Sequence, residues 1–201
     1  MRIIAGRFRS RVLAAPAGMD TRPTSDRLRE TLFNVLAPRL EGAAFLDLYA
    51  GSGAVGLEAL SRGAQPVVFV ERAPAALKAL RANLARLGVE SGFRVEAATV
   101  GAFLRAAASR PERYEVVFLD PPYDAEREYE MTLGFLGGED RFSKSPNATD
   151  LGHPRSFLSA GAVVVAEHRR KEKLEDLYGM LGRTRILEQG DAALSFYAAE
   201  G

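Results

Sequence analysis

Asp47-Leu48-Tyr49-Ala50-Gly51-Ser52-Gly53-Ala54-Val55-Gly56 is the stretch whose reading settles the fold class. Ahead of it, Ala44-Phe45-Leu46-Asp47-Leu48 is a short apolar run, the pattern of a buried strand. Behind it, Ala54 to Ser61 reads as a helix. Between the two lie Gly51, Gly53 and Gly56, in G-x-G-x-x-G spacing. Glycine lets the backbone turn tightly and come close to a ligand. A strand, a glycine turn and a helix start together make a cofactor pocket at the carboxyl edge of a sheet.

Outward from this unit the alternation repeats. Pro66 to Glu71 is a second buried strand, and Pro74 to Leu87 a helix with Ala76, Leu77, Leu80, Leu84 and Leu87 on one side. Arg94 to Ala97 is a weak third strand, Val100 to Ala108 a short helix, and Tyr114 to Asp120 a fourth strand. Glu126 to Leu136 reads as helix, Ala162 to Ala166 as strand, and Arg170 to Leu181 as helix. Arg183 to Glu188 and Ala193 to Ala198 suit a closing antiparallel pair. Apolar strands alternating with helices predict an α/β fold, a mostly parallel seven-stranded sheet covered on both faces. Ahead of the first strand, Thr24-Ser25-Asp26 starts a helix that Pro38 ends. Residues 1–23 read as a separate extension, with Ile3 to Gly6 and Arg11 to Leu13 forming a small hairpin around Arg9-Ser10. Residues 24–201 form the main domain. Gly137 to Pro154, almost without apolar residues, reads as a surface loop.

The chain of 201 residues suits one domain with a short extension. Cysteine is absent, which excludes disulfides and cysteine-based metal sites. His153 and His168 have no metal-ligand spacing and are expected at the surface, so no metal is expected. There is no apolar run long enough for a membrane span, and the start lacks the apolar length of a signal peptide, so a cytoplasmic location is the default. Net charge is only +1, but the first 29 residues hold Arg2, Arg7, Arg9, Arg11, Arg22, Arg27 and Arg29 against Asp20 and Asp26. Such a local excess can follow a phosphate backbone, or can be a solvated basic tail. Arg169, Arg170, Lys171 and Lys173 form a second basic cluster, read as a solvated helix start. Phe196 and Tyr197 read as core.

Two carboxylates qualify the glycine loop. Asp47, four residues before Gly51, would repel a pyrophosphate and suits a cationic ligand such as the amino end or sulfonium of S-adenosylmethionine. Glu71 ends the next strand, placed to bond the ribose hydroxyls of an adenosine cofactor. A dinucleotide site and a plain strand–turn–helix corner are the competing readings.

Asp120-Pro121-Pro122-Tyr123 closes the fourth strand. An exocyclic base amine is a poor nucleophile because its lone pair is delocalised into the ring. Asp120 can accept one amine hydrogen and the Pro121 carbonyl another, which favours a pyramidal nitrogen. The two prolines stiffen the turn, and Tyr123 offers a ring on which an extruded base can stack.

Together these motifs resemble the RsmD-type 16S rRNA (guanine-N2)-methyltransferases. The resemblance includes Met1-Arg2-Ile3-Ile4-Ala5-Gly6, the run from Arg22-Pro23-Thr24-Ser25-Asp26 to Asn34, Asp47 to Gly56, and Asp120 to Tyr123. It implies a Rossmann-like class I methyltransferase fold and S-adenosylmethionine as cofactor. Cofactor contacts are expected at Arg22, Thr24, Asp47, Tyr49, Gly51, Gly53, Glu71, Arg72, Thr99 and Val100. Asp120, Pro121 and Tyr123 are the expected catalytic group, and Arg7, Arg9 and Arg11 the RNA contacts. The implied partner is 16S rRNA or a small-subunit assembly intermediate, met by a monomer. Where many relatives place Asp or Asn for the adenine amine, this chain has Ala98-Thr99-Val100. A DNA adenine-N6 methyltransferase shares the second motif but usually carries a target-recognition region, for which this chain has little room. A nucleotide-binding oxidoreductase or binding module leaves Asp47 and Asp120 to Tyr123 without a purpose.

Overall fold

The computed structural model describes residues 1–15, 26–107, 110–122, 126–139 and 157–199. It divides into two compact units, Met1–Thr99 and Val100–Gly201.

The first unit holds helix α1 (Asp26–Leu36), strand β1 (Phe45–Leu48), helix α2 (Ala54–Ser61), strand β2 (Val67–Glu71), helix α3 (Pro74–Leu87) and strand β3 (Phe93–Ala97). Its strands lie in the order β3-β2-β1. All are parallel, Phe45 pairing with Val67 and Val67 with Phe93. Every residue of β1 is buried, which is why the strand is apolar on both faces rather than alternating, with Asp47 as its one polar residue. Helix α3 starts on Pro74, whose missing amide costs nothing in a first turn. It stops at Gly88, where φ is +67° and a side chain would be strained. Its apolar face is buried as its spacing predicts.

The N-terminal segment closes on itself through one antiparallel bridge, Arg2 to Val12. Ile3 N–H donates to Arg11 C=O and Ser10 N–H to Ile3 C=O, both at 2.9 Å. The expected hairpin is therefore present in minimal form. The segment is also fastened to α2. Glu58 is wholly buried, and its carboxylate accepts Ile4 N–H at 2.7 Å and Ala5 N–H at 3.0 Å. Ser61 Oγ accepts Phe8 N–H at 2.9 Å. Gly6 permits the contact: a β-carbon there would fall 1.8 Å from the Ser61 carbonyl oxygen. Arg62 pairs with Glu58 at 2.7 Å and Arg29 lies 3.9 Å from it. Arg29 is wholly buried and donates to Arg2 C=O. It is a strut for the arm, not one of the arginines offered to solvent.

The second unit holds helix α4 (Val100–Ala107), strand β4 (Tyr114–Leu119), helix α5 (Glu126–Leu136) and strands β5 (Leu158–Arg169), β6 (Leu177–Tyr178), β7 (Leu181–Gln189) and β8 (Ala192–Ala199). Their order is β4-β5-β8-β7-β6, with β4–β5 parallel and the others antiparallel. Among the described residues the strands of the two units number eight, not seven. The addition is β6, which stands in the region expected as a helix over 170–181. Leu174, Leu177, Tyr178 and Leu181 have helical spacing, but tertiary bonds override it. Arg183 donates to Leu174 C=O at 3.2 Å and pairs with Asp176. Tyr197 O–H donates to Glu175 C=O at 2.9 Å. Gly179, at φ +57°, turns the chain into β7.

His168, expected at the surface, is buried in β5 at 3 % exposure. Its Nε2 lies 2.9 Å from Ser195 Oγ and its Nδ1 2.9 Å from Arg169 C=O. Burial lowers its pKa. Phe196 and Tyr197 are core, as expected. Apart from Gly137 to Glu139, the loop expected at 137–154, with His153, lies outside the described residues.

Candidate active site

The glycine loop of the first unit assigns each glycine a separate task. Gly51 has φ +57°, and a β-carbon there would meet nothing within 4 Å, so this part of the loop faces open space. Gly53 has φ +83°, and its β-carbon would fall 2.3 Å from Leu80 Cδ1 on α3. At Gly56 a β-carbon would fall 2.3 Å from Phe69 Cε1 of β2 and 2.9 Å from Asp47 Oδ2. The first glycine leaves room for a ligand, and the other two allow helix and strand to close beneath it. Tyr49, half-buried, also carries a left-handed φ of +62°.

Asp47 lies under this loop. It is 2 % exposed and accepts Gly56 N–H at 2.8 Å, fastening the first turn of α2 to the end of β1. Burial pushes its carboxyl up to about 7; the Gly56 bond opposes this and the Glu71 charge adds to it. Near neutral pH Asp47 is therefore only partly ionised. Its hydrogen bond makes it a support of the loop, and its raised pKa makes it a weaker counter-charge than the sequence suggests.

Glu71 is the more available carboxylate. One oxygen accepts Gly51 N–H at 2.8 Å, and the other accepts Arg72 N–H and Ala73 N–H at 2.7 Å each. Glu71 thus ties the loop to the start of α3, where a negative charge is favoured by the helix dipole. Arg72 is exposed, Thr99 is exposed, and Val100 is buried at the start of α4. Beside Thr99, Ala98 N–H donates to Glu71 C=O at 3.1 Å, holding the end of β3 against β2.

Arg7, Arg9 and Arg11 are exposed on the docked arm. In the second unit Asp120 follows β4 and is half-buried, with Pro121 buried and Pro122 exposed behind it. The expectations for Arg22, Thr24 and Tyr123 lie outside the described residues. Among the described residues, no group of three or more His, Asp or Glu is placed to hold a metal ion.

Sequence reading missed the residues that support the arm and loop. Asn83 sits on the apolar face of α3, wholly buried, and Glu58 sits among apolar residues in α2. A polar residue on an apolar stripe is itself a signal, since a buried polar group needs partners. Which partners it finds is not readable from spacing.

A family model described as conserved hypothetical protein 95 matches residues 1–198. The curated protein named "Putative rRNA methyltransferase YlbH", from Bacillus subtilis, is 34 % identical over 201 residues and the whole of both chains. Ribosomal RNA small subunit methyltransferase D of Escherichia coli is 45 % identical over 123 residues, 61 % of this chain and 60 % of that protein. Among solved structures, one titled "Putative methyltransferase yhhF from Escherichia coli" superposes with a TM-score of 0.79 at 34 % identity, over 100 % of this chain and 98 % of that one. The fold is the Rossmann-like fold of S-adenosylmethionine-dependent methyltransferases. A match along nearly its whole length places the chain in the conserved hypothetical protein 95 family, that of the RsmD-type rRNA methyltransferases.

Proposed function

We propose that this protein uses S-adenosylmethionine to methylate the exocyclic N2 amine of a guanine in 16S rRNA. The observation that carries the reading is the glycine loop, open above Gly51 and clipped to Glu71, in a chain of this family. The residues suit an adenosyl cofactor. A carboxylate offers about four acceptor positions, and backbone amides fill three at Glu71. One remains for a ribose hydroxyl; accepting a second requires one of the three amides to let go. Tyr49, Gly51, Gly53 and Arg72 would line the site with Asp47 below, and Arg22, Thr24, Thr99 and Val100 are the further cofactor contacts that the family resemblance implies. When bound, the cofactor supplies an electrophilic methyl group.

Asp120 and the Pro121 carbonyl accept the two hydrogens of the guanine amine. This withdraws the nitrogen lone pair from the ring and leaves it free to attack. The carbon–nitrogen bond would form as the carbon–sulfur bond of the sulfonium breaks, leaving a neutral thioether, and Asp120 would accept the extra proton that the nitrogen then carries. Tyr123 stacks on the extruded base. Most of the rate gain is positional.

The substrate is read as 16S rRNA or a small-subunit assembly intermediate, met by a cytoplasmic monomer. Residues 1–23 act as its basic arm, with Arg7, Arg9 and Arg11 on phosphates, and residues 24–201 as its methyltransferase domain. Supporting this, the arm's arginines are exposed, and no described helix is long and apolar enough to cross a membrane.

The test is transfer of tritiated methyl groups into undermethylated rRNA and, separately, DNA. Incorporation into guanine N2 of rRNA is expected. Asp120→Ala is expected to abolish it while S-adenosylhomocysteine affinity, measured by calorimetry, stays within a few fold. Transfer into adenine of DNA would replace this reading with the DNA methyltransferase, and full activity of Asp120→Ala would remove Asp120 from the mechanism.

A further inference from the structure

Asn83 occupies a position that packing alone would give to leucine. It lies on the buried face of α3 with Leu80, Leu84 and Leu87. Its side-chain amide bonds the backbone of two other segments. Oδ1 accepts Ala14 N–H at 2.7 Å. Nδ2 donates to Ala14 C=O at 3.1 Å and to Ser52 C=O at 3.0 Å. Toward Ala14 the amide acts as a neighbouring strand would, giving and taking one bond. Its second hydrogen holds the glycine loop at the residue between Gly51 and Gly53. Leu80, one turn earlier on α3, lies against Gly53. The arm's hold on α3 and the loop's shape thus pass through one side chain.

We propose that Asn83 is a positioning residue that ties the basic arm to the cofactor loop, so that RNA on the arm and cofactor in the loop bind cooperatively. The proposal rests on the functional reading of arm and loop given above. When the arm lifts, Asn83 loses two of its three bonds and with them the rotamer that holds Ser52. RNA that keeps the arm seated keeps the loop in shape, and the coupling must be equal in both directions.

Two variants break the link from opposite sides. Asn83→Asp keeps an acceptor for Ala14 N–H but has no hydrogen for Ala14 C=O or Ser52 C=O. Ala14→Pro removes the arm's donor and leaves α3 and the loop untouched. Calorimetry on the full chain would measure S-adenosylhomocysteine affinity with and without a 16S rRNA fragment. The wild type is expected to bind it about five-fold tighter or better with RNA present, within the usual range of such coupling. In both variants this ratio is expected to fall toward one while each ligand still binds alone. If Asn83→Asp does not fold, Ala14→Pro carries the test. A wild-type ratio of one, or an unchanged ratio in the folded variants, would overturn the coupling and leave the functional reading standing. A wild type that binds neither ligand would bring down both.

Discussion

Asp47 shows how one residue can serve a site through its burial. In water a carboxyl this close to a glycine loop would be a full negative charge at neutral pH. Here burial raises its pKa from 3.8 to about 7, despite the bond from Gly56. The folded-state pKa lies above the unfolded one, so the folded chain binds the proton more tightly. The stabilisation is complete below the unfolded value and is lost as pH rises through the folded one. A rise of that size corresponds to about 4 kcal/mol. Asp47→Asn keeps an acceptor for Gly56 and removes the titration. Denaturant unfolding of both proteins from pH 4 to pH 8 is expected to show the variant gaining on the wild type as pH rises, by a few kcal/mol on this scale. Parallel curves would mean that Asp47 stays ionised in the folded chain.

At the scale of elements, α2 serves both the loop at its start and the arm at its end. Glu58 gathers two arm amides and the guanidinium of Arg62, with Arg29 nearby. Removing one partner of a buried ion pair costs about 3–5 kcal/mol, because the charge left behind stays unpaired. Glu58→Ala is therefore expected to lower stability by that order and to free the arm. Limited trypsin digestion checks this: cleavage after Arg7, Arg9 or Arg11 is expected to become fast under conditions where the wild type stays intact. Equal cleavage rates would show that Ser61 and Asn83 hold the arm without Glu58. The elements are largely legible in the sequence. The bounds of α3 and α5 match their sequence reading because proline, glycine and apolar spacing mark them. The failure over 170–181 has the opposite cause: a local helical pattern is overridden by bonds from Arg183 and Tyr197, which lie further along the chain.

At the scale of the whole molecule, a net charge of +1 gives no general attraction to nucleic acid. Affinity for rRNA must come from local groups, and the exposed Arg7, Arg9 and Arg11 are the candidates on the docked arm. Replacing all three with glutamine is expected to weaken RNA binding more at low salt than at high salt. The salt dependence is expected to flatten, its slope falling by roughly 0.7–0.9 for each phosphate that is no longer neutralised. A weakening that does not vary with salt would indicate damage to the arm's seating instead. The alternation of strands and helices, the loop glycines and the motif at Asp120 were set by the sequence alone, because each depends on residue types at short spacing. The burial of Arg29 and His168, the raised pKa of Asp47 and the partners of Glu58 and Asn83 were decided only by the tertiary structure. Charge, solvent access and hydrogen-bond partners depend on which distant segments come together, and no local pattern records that.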